Sequence, residues 1–158
     1  MSRVEKPQVL VVDDNEATCT LITALLRREF TIELALDGRE AIEKLRTRRY
    51  VAILLDLRMP QTDGFTVLDH LQVADPKMLR HVLVVTAALT SKDMARARSF
   101  PICGIISKPF DIEKLLESVR QCARLADGPA DGGSLSNVIC SSGPMLLLIA
   151  DFLRQRLG

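Results

Sequence analysis

The sequence predicts a doubly wound α/β domain: a five-stranded parallel sheet with helices on both faces, followed by a C-terminal helical tail. Two observations predict the class. Short runs of Val, Ile and Leu, too apolar for one-sided strands, alternate five times with amphipathic helical patterns. Several of those runs also stop at a polar or charged residue, as strands do where a parallel sheet meets a ligand cleft.

The elements follow in order. Val9 to Val12 is the first strand and ends in Asp13-Asp14. Asn15 precedes a helical pattern with Leu21, Ile22, Leu25 and Leu26 on its apolar side. Phe30 to Leu36 reads as the second strand. Asp37-Gly38 punctuates the chain before a helix marked by Ala41, Ile42 and Leu45, and Arg46, Arg48 and Arg49 crowd the end that favours cations. Val51 to Leu55 is the third strand and ends in Asp56. Met59-Pro60 opens a loop through Asp63-Gly64, and Phe65, Leu68 and Leu71 stripe the next helix. Val82 to Val85 is the fourth strand, ending at Thr86. Ser91 to Arg98 forms a short charged helix with a weak apolar face. Gly104 to Ser107 is the fifth strand and runs into Lys108-Pro109. Asp111 can cap the last helix, whose apolar face is Ile112, Leu115, Leu116, Val119 and Cys122.

The domain reading is residues 1–126 for the α/β unit, 127–143 for a flexible linker rich in Gly, Ser, Asp and Pro, and 144–158 for an amphipathic helix or disordered tail. The surface of the α/β unit, in the same chain or across a homodimer, is the expected seat for the tail's apolar side. With 21 Lys and Arg against 20 Asp and Glu, the net charge of +1 calls for no nucleic-acid or membrane partner. The apolar run Met145 to Ala150 is far short of the ~20 residues that cross a bilayer, and the N-terminus has no signal-peptide core. Cys19, Cys103, Cys122 and Cys140 have no metal or redox spacing and read as small apolar residues in a reducing cytoplasm.

The chemistry is expected at the carboxyl ends of the strands, where Asp13, Asp14, Asp56 and Thr86 gather with Lys108. Carboxylates held close together repel, and a divalent cation removes the conflict. Hard oxygen donors suit Mg²⁺, or Mn²⁺ in its place. Lys108 adds a positive charge and Thr86 a hydroxyl, and the set suits a phosphoryl group carried on a carboxylate.

The segments VLVVDDN, ILLDLRMPQTDGF, VLVVTA and ISKPF together resemble the receiver domain of two-component response regulators, over about residues 7–126. The resemblance implies a flavodoxin-like order of strands. It implies that Asp56 is the phosphoacceptor and that Asp14, Asp56 and the backbone carbonyl of Arg58 bind the metal, with Asp13 acting largely through water. Thr86 would hydrogen-bond the phosphoryl group, Lys108 would pair with it, and the bond before Pro109 would be cis. The phosphoryl group would come from a sensor histidine kinase or phosphotransfer protein. The domain would catalyse only its own phosphorylation and dephosphorylation, and would signal by contact with a downstream protein, with no DNA-binding domain.

The chain departs from the family at three places, one of them the segment SFPICG, which replaces the more usual Gly-Ala-rich approach to the fifth strand. Ile105 stands where an aromatic switch residue is usual, three before the lysine. Arg58 and Ala88 occupy positions that tune phosphoryl lifetime. A haloacid-dehalogenase-like phosphatase would want a general acid where Arg58 stands, and Arg cannot supply a proton at neutral pH. A phosphate-free pseudo-receiver is at odds with the intact acids and Lys108. His70 and His81 read as surface or edge residues.

Overall fold

The computed structural model describes residues 4–126. The elements are β1 (Gln8–Val12), α1 (Glu16–Leu26), β2 (Thr31–Ala35), α2 (Gly38–Thr47), β3 (Ala52–Leu55), α3 (Gly64–Ala74), β4 (Val82–Thr86), α4 (Ser91–Ser99), β5 (Gly104–Ser107) and α5 (Ile112–Ala126). A 3-10 turn at Pro76–His81 leads into β4 and has no counterpart in the sequence reading. The calls on 127–143 and 144–158 lie outside the described residues.

All five strands are parallel, in the order β2-β1-β3-β4-β5. This is the flavodoxin-like doubly wound sheet, whose order reverses between β1 and β3. The two-residue period of the strands divides the apolar side chains between two cores. Leu10, Val12, Ile53, Leu55, Val82 and Val84 pack on the side of α2, α3 and α4. Val9, Val11, Ala52, Leu54, Leu83 and Val85 pack on the side of α1 and α5. A strand covered on both faces has no polar positions to spare, which is why these runs are continuously apolar.

The helices begin where short polar side chains satisfy free backbone N–H groups. Asn15 accepts from the Thr18 amide, Asp37 from Glu40, Asp63 from Phe65 and Asp111 from Lys114. Two apolar residues do not join the cores as expected. Leu21 lies one residue, or about 100° of helix, from buried Ile22 and is exposed. Ile112, at the first position of α5, is also exposed.

Cys103, just before β5, and Cys122, on α5, form a disulfide with Cα atoms 6.1 Å apart. This corrects the reading of both as unlinked apolar cysteines. The fold brings α5 beside the residue that precedes β5, whereas a separation of 19 residues carries no pairing signature in sequence. Cys19 is free and buried. Among the described residues, no helix is long and apolar enough to cross a membrane.

Candidate functional site

Asp13 and Asp14 leave the end of β1, and Asp56 leaves the end of its neighbour β3, at the point where strand order reverses. Register puts Val12 beside Leu55, so the acids that follow emerge side by side. Carboxylate oxygens of Asp13, Asp14 and Asp56 lie within 4.8 Å of one another. Asp13 and Asp56 are buried and Asp14 is exposed, so two anions are held by the fold and one faces solvent.

Asp56 is satisfied at both oxygens. Oδ1 accepts from the Arg58 amide at 2.9 Å and from the Thr86 hydroxyl at 2.9 Å, while Lys108 Nζ donates to Oδ2 at 3.2 Å. Lys108 also donates to Asp13 Oδ2 at 2.6 Å, and Asp13 Oδ1 accepts from the Asn15 amide at 2.8 Å. Burial lowers the pKa of the Lys108 ammonium, but Asp13 and Asp56 outweigh it and hold the group above the ordinary lysine value. The Lys108 amide donates to the Thr86 carbonyl at 2.8 Å and the Lys108–Pro109 peptide is cis.

Thr86 is buried, with its hydroxyl on the inside. Ile105 is half-buried and packs against the core on the α4 side of the sheet. Pro109 is exposed. His81 is half-buried with Nδ1 3.2 Å from the Val51 carbonyl, and His70 is half-buried on α3; neither reaches the acids.

Two residues that bear on the site's shape were not singled out in sequence. A Cβ on Gly64 would stand 2.3 Å from the Asp56 carbonyl oxygen, so the start of α3 approaches the phosphoacceptor candidate's backbone as only glycine can. Asp93 on α4 pairs with the Arg58 guanidinium at 3.0 Å. The Asp63-Gly64 turn was a signal for the first; nothing in sequence pointed to the second. Arg58, Asp93 and Asp14 share the wall of an open cleft of about 460 Å³. A cleft lined by an exposed acid, beside two buried acids that share a single lysine, can admit a cation and an anionic group together.

The family model for the response regulator receiver domain matches residues 9–120. The transcriptional regulatory protein ZraR of Klebsiella oxytoca is 31% identical over 79% of this chain and 29% of its own length. The DNA-binding dual master transcriptional regulator RpaA of Synechocystis is 28% identical over 90% of this chain and 59% of its own length. Among solved structures, the receiver domain of the sensor histidine kinase PA1611 from Pseudomonas aeruginosa superposes with a TM-score of 0.67. It is 26% identical, covers 75% of this chain and 98% of its own, and holds a magnesium ion coordinated in its active-site cleft. These matches correct one expectation. Output without a DNA-binding domain does not stand, because the matched relatives are transcriptional regulators, one of them DNA-binding by name. The chain spans only about a third to three-fifths of their length.

Proposed function

This chain belongs to the response regulator receiver domain family, and we propose that it takes a phosphoryl group onto Asp56 from a partner histidine kinase or phosphotransfer protein. The observation that carries the reading is the Asp56 carboxylate, held by Thr86, Lys108 and the Arg58 amide beside two further acids.

The three carboxylates fit a hard divalent cation, since their oxygens are close enough to share one and Lys108 offsets only part of their charge. Asp14, Asp56 and the Arg58 carbonyl would hold Mg²⁺, with Asp13 acting through water. When bound, the ion neutralises charge on the transferring phosphoryl oxygens. In the transfer, an Asp56 carboxylate oxygen attacks the phosphorus of a phosphohistidine; the O–P bond forms as the N–P bond breaks, and the imidazole keeps the electron pair. Lys108 balances the charge that accumulates on the phosphoryl oxygens. Thr86 moves its hydroxyl from the carboxylate to a phosphoryl oxygen, a short step for a donor already turned inward. Hydrolysis of the acyl phosphate ends the signal, so the domain turns over no substrate but its own phosphoryl group.

The setting is cytoplasmic in this reading. The phosphorylated domain signals through contact with another protein surface, and the relatives support control of transcription as the eventual output. Acetyl phosphate with Mg²⁺, followed by intact-protein mass measurement, tests the assignment. A gain of about 80 Da, one HPO₃ unit, is expected for the wild type and none for Asp56→Asn. Modification of the Asp56→Asn protein at the wild-type rate would overturn it.

A further inference from the structure

α4 is held to the domain unlike any other helix. Only Ala97 of its nine residues is buried; Met94 is half-buried, and apart from exposed Ala95 the other residues are polar. Ion pairs add to that small apolar contact. Arg96 donates to Asp69 at 2.8 Å and stacks 4.2 Å over the Phe65 ring, tying the helix to α3. At the other end, Arg58 Nη2 donates to Asp93 Oδ2 at 3.0 Å. That same oxygen accepts from the Thr90 hydroxyl at 2.7 Å, and Thr90 Oγ1 in turn accepts from the Asp93 amide at 3.1 Å, so Asp93 is both a cap partner and an anchor.

Arg58 is also tied to the phosphoacceptor candidate. Its amide donates to Asp56 Oδ1, so its side chain starts two residues from the reacting carboxylate and extends along the cleft it shares with Asp14 and Asp93. A phosphoryl group placed on Asp56 would bring about two negative charges and three strong acceptor oxygens. A guanidinium prefers such a group to a half-exposed monocarboxylate, because it can bond two oxygens in parallel and meets twice the charge.

We propose that Asp93 is a positioning residue that holds Arg58 off Asp56 at rest, and that phosphorylation moves Arg58 from Asp93 to the phosphoryl oxygens and frees the first turn of α4. The proposal rests on Asp56 being the phosphoacceptor. No buried aromatic is needed: Ile105 stays packed, and the signal leaves by an exchange of ion partners.

The exchange makes Asp93 and phosphoryl competitors for one cation, which gives opposite signs in two variants. For the full chain titrated with beryllofluoride and Mg²⁺, Asp93→Asn should tighten apparent affinity and Arg58→Ala should weaken it, each about two- to five-fold, the range that loss of an exposed ion pair sets. Asp93→Glu should restore the wild-type value. Amide exchange over residues 91–96 should rise several-fold in the wild type on adding beryllofluoride. In Arg58→Ala, which leaves α4 itself unaltered, it should already be raised and should not respond. Affinities shifting in the same direction for both variants, or an Arg58→Ala protein that responds as the wild type does, would overturn the latch. Acetyl phosphate labelling separates the two levels. A wild type that takes the label while residues 91–96 stay unresponsive sinks only the latch; one that takes no label sinks the phosphoacceptor assignment with it.

Discussion

The Thr86 hydroxyl donates a 2.9 Å hydrogen bond to Oδ1 of Asp56, and both residues are buried, although they lie 30 positions apart in the chain. The bond crosses from the end of β4 to the end of β3, which are neighbours in the sheet. It stabilises the fold and occupies the acceptor oxygen at the same time.

Thr86→Ala removes a donor to a charged acceptor in a buried place. The variant should lose about 1.5–3 kcal/mol of stability in urea unfolding and take label from acetyl phosphate more slowly. Thr86→Ser, which keeps the hydroxyl, should recover most of both. A Thr86→Ala protein as stable as the wild type would mean that the bond contributes nothing net.

Gly64→Ala puts a methyl group against the backbone carbonyl of Asp56, with no flexible side chain to give way. The start of α3 or the Asp56 loop must shift, at about 1–3 kcal/mol or more. Lower thermal stability together with slower labelling of Asp56 is expected. Loss of stability with unchanged labelling would show that the strain is relieved on the helix side alone.

Alkaline pH should destabilise the domain through Cys19. Burial, and next the Asp13 charge, push its thiol from the usual 9.0 to about 11. The unfolded chain therefore gives up this proton at a lower pH than the folded one. Stability from the group is present below pH 9.0 and is lost as pH rises through about 11. Lys108, also shifted upward, acts in the same direction. Unfolding midpoints between pH 8 and about 11 should fall less steeply for Cys19→Ala than for the wild type.

Reducing the Cys103–Cys122 bond should lower stability by about 3 kcal/mol, the loop-closure value for a crosslink of roughly this span. Urea unfolding with and without dithiothreitol measures the difference. The Cys103→Ser, Cys122→Ser double variant should be indifferent to reductant. In a reducing cytoplasm the pair would stand open, so the reduced value would then describe the working domain. Thiol alkylation of rapidly quenched cells, read by mass, decides which form is present.

The architecture and the acids were legible in the sequence because both are written locally. Continuous Val, Ile and Leu runs identify strands covered on both faces, and a residue that breaks such a run, as Asp13 and Asp56 do, marks a strand end whatever the rest of the chain does. Parallel topology then collects those ends on one edge without any need for coordinates. Single helix positions were less legible: Leu21 and Ile112 are as apolar as their neighbours, and only the packed domain settles that they face outward.

What the tertiary structure alone decided are relationships between residues with no local signature. Asp93 is an unremarkable acid in a polar helix until the fold carries it 3.0 Å from Arg58, which is 35 positions away. Cys103 and Cys122 become a pair only because the fold brings α5 beside the residue that precedes β5, and Gly64 becomes costly to replace only where α3 meets the Asp56 backbone. Hydrophobic periodicity depends on what each residue is, and a sequence states that outright. Ion pairs, crosslinks and close approaches depend on where two distant residues meet, and that is set only when the whole domain has packed.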